Sequence, residues 1–233
     1  MHAIRRCLPF DLSLYVVTHR SYARSEVEFC YKCLRAAAGG INALQFREHN
    51  KEALERTVMA LKKPLQAQGV KVFINNHLDL AIKLGVDGLH IGQGDVSFKE
   101  ARNNFDGVIG LTVDTWKQLE EAQHLDVDYI GLSQLFPGSE TKPERSDPYW
   151  LLEGLSKARA FSRHRIVPIG GINLDNLESV FEQLHLGSCN DGVALGRAIF
   201  NDTDPFYATL RAKVILSNVL NRRGSNALVS DCV

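Results

Sequence analysis

The chain has no apolar run approaching the ~20 residues of a membrane span, and Pro9 and Asp11 interrupt the stretch after Arg5 and Arg6. Neither a spanning helix nor a secretory leader is expected. It also lacks an excess of charge of either sign, since 27 Lys and Arg balance 27 Asp and Glu. That balance argues against a broad nucleic-acid or anionic-membrane surface. It leaves room for a small anionic ligand, because a few cations at one cleft do not alter the total. Cysteines are few and odd in number, at 7, 30, 33, 189 and 232. This is no disulfide framework, and it points to a reduced, cytoplasmic setting. Cys30 and Cys33 form a CxxC, but no second ligand pair stands at zinc spacing. The pair falls within a helical stretch, Glu26–Ala38, so structural helix residues are expected rather than redox or zinc chemistry. Glycine-rich phosphate turns of the GxGxxG kind, internal repeats and linkers are likewise missing.

What is present is a 233-residue chain, 45% apolar, long enough to bury a large core without staples. Short apolar runs alternate with longer helical ones. The strand candidates are Leu12–Val17, Ala43–Phe46, Lys71–Ile74, Gly88–Ile91, Val108–Leu111, Tyr129–Leu132, Ile166–Ile169 and Gly192–Leu195. They are rich in Val, Ile and Leu and lack clean alternation, as strands buried on both faces do. Helical period appears in Lys51–Gln68, where Leu54, Val58, Leu61 and Leu65 share a face. It recurs in Asp79–Leu84, Thr115–Leu125, Pro148–Arg163, Asn173–Leu186 and Pro205–Leu220. Thr115, Asp147 and Asn173 stand where N-caps belong. Eight strands alternating with helices predict a single-domain (β/α)₈ TIM barrel over residues 1–220, followed by a loosely ordered tail, 221–233. A doubly wound open sheet is the rival, but it would carry a glycine-rich turn after its first strand.

Catalytic groups of such barrels sit at the C-terminal strand ends. Those ends carry His19, Gln45, Arg47, His49, Asn76, His77, Asp95, Thr112, the stretch Ser133–Lys142, Gly170-Gly171 and Gly196-Arg197. The glycines after strands seven and eight suit a phosphate held by backbone N–H groups, or they simply permit tight turns. Arg47, Asn76 and Lys142, with Asp95 close by, suit a second phosphate or a diphosphate bridged through Mg²⁺. The alternative is a minor surface ion pair of Arg47. Two separated anionic poles imply two phosphorylated substrates.

The strand-end motifs resemble those of the thiamine phosphate synthase (thiamine-phosphate pyrophosphorylase) family. The likeness rests on Leu14-Tyr15-Val16-Val17-Thr18, Gln45-Phe46-Arg47-Glu48, Ile74-Asn75-Asn76 and Asp87 through Asp95. It continues with Ile109-Gly110-Leu111-Thr112, Asp128 through Leu132, Phe136-Pro137 to Thr141-Lys142, Ile169-Gly170-Gly171-Ile172 and Asp191-Gly192-Val193. The resemblance implies a transferase that joins hydroxymethylpyrimidine diphosphate to hydroxyethylthiazole phosphate, giving thiamine phosphate and pyrophosphate. By the same resemblance Gln45 contacts the pyrimidine, and Arg47, Asn76, Thr112 and Lys142 hold the diphosphate, with Arg47, Asn76 and Lys142 the catalytic set. Ser139 and Thr141 touch the thiazole side, whose phosphate meets Gly171, Gly196 and Arg197. Asp95 binds Mg²⁺. A homodimer is left open, and no nucleic-acid or membrane partner is implied.

Several positions depart from the family pattern. Arg-Glu-Lys reads Arg47-Glu48-His49, so an imidazole replaces one cation on the diphosphate side. Asn-Asn-Asp reads Asn75-Asn76-His77, which puts His77 in place of a metal-binding carboxylate. Imidazole suits Mn²⁺ or another transition metal better than Mg²⁺, and a cluster of His19, His49, His77 and Asp95 is a further option. Two other functions stay open. One is a non-catalytic phosphometabolite-binding barrel. The other is a relative of thiazole tautomerase, whose loop histidine after strand five is replaced by Asp114.

Overall fold

A computed structural model describes residues 11–137, 149–186 and 191–230. Its strands are β1 (Leu14–Val17), β2 (Ala43–Phe46), β3 (Lys71–Asn75), β4 (Gly88–Ile91), β5 (Val108–Val113), β6 (Tyr129–Leu132), β7 (Arg165–Pro168) and β8 (Val193–Leu195). All ladders are parallel, in the order β7-β6-β5-β4-β3-β2-β1-β8. At the remaining seam Gly192 N–H donates to Ile166 O at 3.0 Å. The sheet therefore curls into the expected barrel.

The helices between the strands are α1 (Glu26–Ala38), α2 (Lys51–Gln66), α3 (Leu78–Leu84), α4 (Phe98–Asn104), α5 (Trp116–Ala122), α6 (Leu151–Phe161), α7 (Leu177–Glu182), α8 (Arg197–Phe200) and α9 (Pro205–Ser230). Thr115 caps α5 as read from the sequence, and Gln118 reaches back to complete a capping box. Asn173 does not cap α7. It accepts from Asp175 N and Asn176 N in a preceding turn, and Asn176 takes the cap position. Asp147 lies outside the described residues.

Helix α9 continues past Leu220 to Ser230. Gly224, Ser225 and Asn226 are poor helix formers, yet tertiary anchors precede them. Arg223 donates to the carbonyls of Phe181, Glu182 and Leu184 at the end of α7, and Arg222 pairs with Glu178. A cation on exposed terminal carbonyls of a helix is favourable.

The outer core lies between strands and helices. A separate inner cluster fills the barrel: Leu12, Tyr15, Ala43, Phe73, Val108, Tyr129, Val167 and Ala194. Large rings fit there because neighbouring strands carry glycine. A Cβ on Gly110 would lie 2.1 Å from the Tyr129 ring, and one on Gly131 would lie 2.6 Å from the His90 ring. Cys30 and Cys33 are free thiols on α1, the second fully buried, and burial is the main cause that raises both thiol pKa values. Neither redox activity nor metal binding is suited to thiols held protonated in this way.

Candidate active site

At the C-terminal ends of the strands a cavity of about 1050 Å³ opens. It draws on Gln45, Arg47, His49, Asn76, Asp95, Thr112, Gly171, Gly196 and Arg197, so residues from six strand ends converge on one mouth. His77 does not join them. Its ring faces the Glu48 carbonyl, with Nε2 3.3 Å from the oxygen, while its backbone stands at the start of α3. Asn76, immediately before it, takes a left-handed backbone, φ 68°. No group of three or more His, Cys, Asp or Glu suited to a metal occurs among the described residues, so the four-residue cluster with His19 and His49 is not assembled. Ser139, Thr141 and Lys142 lie outside the described residues.

The groups that do converge are held in definite ways. Gln45 is 3% exposed, and its Oε1 accepts from Tyr15 OH at 2.9 Å. That leaves the Nε2 hydrogens uncommitted to any described residue. Asn76 Oδ1 accepts from Asn75 Nδ2, and Asn75 is in turn tied to His90 O. Asn76 thus keeps its own amide hydrogens for a ligand. The Arg47 backbone N–H is pinned to Thr18 Oγ1 at 3.1 Å, while its guanidinium pairs with no described acidic group. The expected minor ion pair at Arg47 is therefore not formed among the described residues. Asp95 Oδ2 accepts from Gly92 N at 2.6 Å, closing its own loop, and Oδ1 is left for another partner.

On the far side, Gly170 and Gly171 adopt φ values of +108° and +67°. A Cβ on Gly171 would come within 2.9 Å of Phe136 O and Pro137 O, so the tight-turn reading of these glycines is correct. It does not displace the anion reading, because Gly171 and Ile172 line the cavity and their N–H groups have no acceptor among the described residues. Backbone N–H groups grouped this way suit an anion.

Sequence reasoning missed the floor of the cavity. Tyr15 OH meets Tyr129 OH at 3.0 Å, Tyr129 OH meets His90 Nδ1 at 2.8 Å, and His90 Nε2 meets Thr112 Oγ1 at 2.8 Å. Burial lowers the His90 pKa to about 4 and raises those of Tyr15 and Tyr129, so all three are neutral near pH 7. Gly110 and Gly131 were the available signal, since a strand glycine inside a barrel leaves room for a large ring from a nearby strand, here Tyr129 and His90.

With the geometry in place, comparison with known proteins decides the family. The family model for thiamine monophosphate synthase matches residues 14–199. The chain belongs to this family. It is 37% identical over 204 residues to a thiamine-phosphate synthase of a Psychrobacter species, covering 84% of this chain and 92% of that protein. It is 32% identical over 213 residues to the thiamine-phosphate synthase of Persephonella marina, covering 89% and 97%. Among solved structures, thiamine phosphate pyrophosphorylase from Pyrococcus furiosus superposes with a TM-score of 0.76 at 28% identity, covering 90% of this chain and 97% of that one. His49 is exposed at the cavity edge.

Proposed function

We propose that the protein joins hydroxymethylpyrimidine diphosphate to hydroxyethylthiazole phosphate, forming thiamine phosphate and releasing pyrophosphate. The observation that carries this reading is the convergence, in one cavity, of Arg47, Asn76 and Asp95 on one side and Gly171, Gly196 and Arg197 on the other. Two anionic substrates can meet there with their reacting ends between the poles.

In the reaction the bond between the pyrimidine methylene and the diphosphate oxygen breaks, and its electron pair leaves with the diphosphate. The thiazole nitrogen then gives its lone pair to the methylene carbon, forming the new C–N bond. No side chain must abstract a proton from carbon in this sequence. The protein's part is to offset charge as it grows on the departing diphosphate and to hold the nucleophile in line. Arg47 offers a guanidinium for bidentate contact, and Asn76 Nδ2 offers a neutral donor beside it. Lys142 supplies a second cation by family resemblance, with Ser139 and Thr141 on the thiazole side. The N–H groups of Gly171 and Ile172, with Gly196 and Arg197, receive the thiazole phosphate.

The donor set fits Mg²⁺ only in company with substrate. Asp95 offers one uncommitted carboxylate oxygen, and Mg²⁺ commonly takes one or two carboxylates plus phosphate oxygens and water. When bound, Mg²⁺ adds positive charge at the diphosphate oxygens. A reduced cytoplasm suits the fully buried Cys33, whose thiol burial holds well above its ordinary pKa.

The test is a discontinuous assay with both phosphorylated substrates and Mg²⁺ or Mn²⁺, following thiamine phosphate and pyrophosphate together. Equimolar appearance of both is expected. Binding of both substrates with no product would overturn the proposal.

A further inference from the structure

Lys32 stands on α1 with 17% of its side chain exposed, a low value for a lysine. It is not among the cavity-lining residues. Its Nζ donates to two backbone carbonyls, Tyr22 O at 2.8 Å and Phe200 O at 3.0 Å, and faces Glu28 Oε1 at 3.5 Å. Tyr22 closes the 3₁₀ turn Arg20–Tyr22, which follows β1, and Phe200 is the last residue of α8, which follows β8. One ammonium group thus ties the exit of β1 to the exit of β8.

The tied pieces are short. The 3₁₀ turn has three residues and α8 has four, and a helix of one turn is not stable alone. Carbonyls at a helix C-terminus have no partner within the helix, and a cation beside them is favourable. Phe200 O is such a group. Aromatic rings complete the brace. Tyr22 and Phe200 stack with centroids 5.6 Å apart and an interplanar angle of 18°, and the His19 ring leans on Tyr22 at 5.6 Å. The tip of Tyr22 reaches Gly196, where a Cβ would stand 3.1 Å from Tyr22 OH. His19, Tyr22, Gly196 and Arg197 all line the cavity. Lys32 therefore sets the spacing of a wall it does not join.

We infer that Lys32 is a positioning residue for the Gly196–Arg197 end of the cavity, holding Tyr22 over Gly196 and α8 in place so that a phosphate-bearing ligand meets preformed partners. The inference rests on the proposed function for the identity of that ligand, hydroxyethylthiazole phosphate. Binding groups must be held close to their productive geometry by the residues around them, and small displacements are costly. The opposite pole, with Arg47, Asn76 and Asp95, follows β2, β3 and β4 and uses none of these bonds. Loss of Lys32 should therefore fall on one substrate and spare the other.

The test is calorimetric titration of wild type and Lys32→Met with each of two ligands. The Kd for hydroxyethylthiazole phosphate should rise about tenfold, in keeping with the loss of charged hydrogen bonds. The Kd for hydroxymethylpyrimidine monophosphate should not change. In steady state, KM for the thiazole phosphate should rise with kcat unchanged at saturation. Lys32→Arg, with donors enough for both carbonyls, should restore most of the affinity. Lys32→Gln carries the same test if the methionine variant does not fold: its amide can still bond one carbonyl, and a smaller rise confined to the thiazole phosphate is expected. Arg35→Met is the control, because it breaks the neighbouring α1 ion pair with Asp204 without touching either carbonyl. It should lower the denaturation midpoint and leave both affinities intact. Equal weakening of both ligands in the Lys32 variants, an unchanged thiazole phosphate affinity, or a matching loss in Arg35→Met overturns the inference. Failure of wild type to bind the thiazole phosphate overturns it as well. The selective loss of binding, found in a protein whose wild type does not turn over, would reject the proposed reaction and leave the brace standing.

Discussion

The two ends of the barrel use similar residue types in opposite ways. At the N-terminal end, a residue one or two positions before each even-numbered strand accepts from the beginning of the strand that precedes it. Asn42 accepts from Leu14 N at 3.0 Å, Asp87 from Val72 N at 2.9 Å, Asp128 from Ile109 N at 2.8 Å and Asp191 from Ile166 N at 2.9 Å. Each then has a second partner: Asp11, Lys71, Arg102 and Arg159 respectively. Every one of these four side chains is consumed by the fold. At the C-terminal mouth, Arg47, Asn76, Gln45 and Asp95 each keep at least one polar group uncommitted among the described residues. The difference teaches how to separate stability from function in this chain: side chains with every hydrogen bond filled hold the strands, and those with open ones await ligands.

The sharpest way to break that contrast is at Asp191, which is fully buried. It accepts from Arg159, Ile166 N and His185 N. Asp191→Ala removes the acceptor for all three, and such losses cost about 3–5 kcal/mol. Chemical denaturation should show that loss, while kcat per folded molecule stays near wild type. Arg47→Ala should do the reverse. Its guanidinium supports no described contact, so the denaturation midpoint should hold while kcat falls about 10²-fold. A stability loss comparable to Asp191→Ala would place Arg47 with the structural set.

Acid provides an intermediate case, because His90 lies between the two ends. Its pKa is lowered from 6.5 to about 4 by burial, so the folded state resists protonation where the unfolded chain accepts it. The stabilisation tied to neutral His90 is complete above pH 6.5 and is lost as pH falls toward 4. Its ceiling is roughly 3 kcal/mol. His90→Gln should flatten stability against pH in that window, and an unchanged slope would show that other groups cause it. At the small end, Lys51→Ala removes an exposed pair with Asp79 at 2.7 Å. The expected change is within about 0.5 kcal/mol, and a larger one would mean that surface pairs matter more than the contrast allows.

Much of the scaffold was legible in the residues. The spans of β2, β4 and β6 agree residue for residue with the apolar runs read from the sequence, because strands covered on both faces leave an uninterrupted signal. Thr115 was legible as a cap because its role is local. Asn173 and the end of α9 were not, since a turn of competing Asn side chains and the anchoring of Arg222 and Arg223 depend on tertiary partners. For the cavity, strand-end position was enough to gather Gln45, Arg47, Asn76 and Asp95. His77 is not among the cavity-lining residues, and its ring faces the Glu48 carbonyl. The hydrogen-bonded floor of the cavity stayed hidden because Tyr15, Tyr129 and His90 sit in strands that read as plain core. Only the lumen reveals that their polar tips meet.

The central claim, that one mouth holds two anionic partners together, is tested most directly by calorimetric titration. Hydroxyethylthiazole phosphate is titrated into protein already saturated with hydroxymethylpyrimidine monophosphate. One-to-one binding is expected, at an affinity equal to or better than that of the free protein. Competition, with the thiazole phosphate displacing the pyrimidine ligand or failing to bind, would contradict the claim.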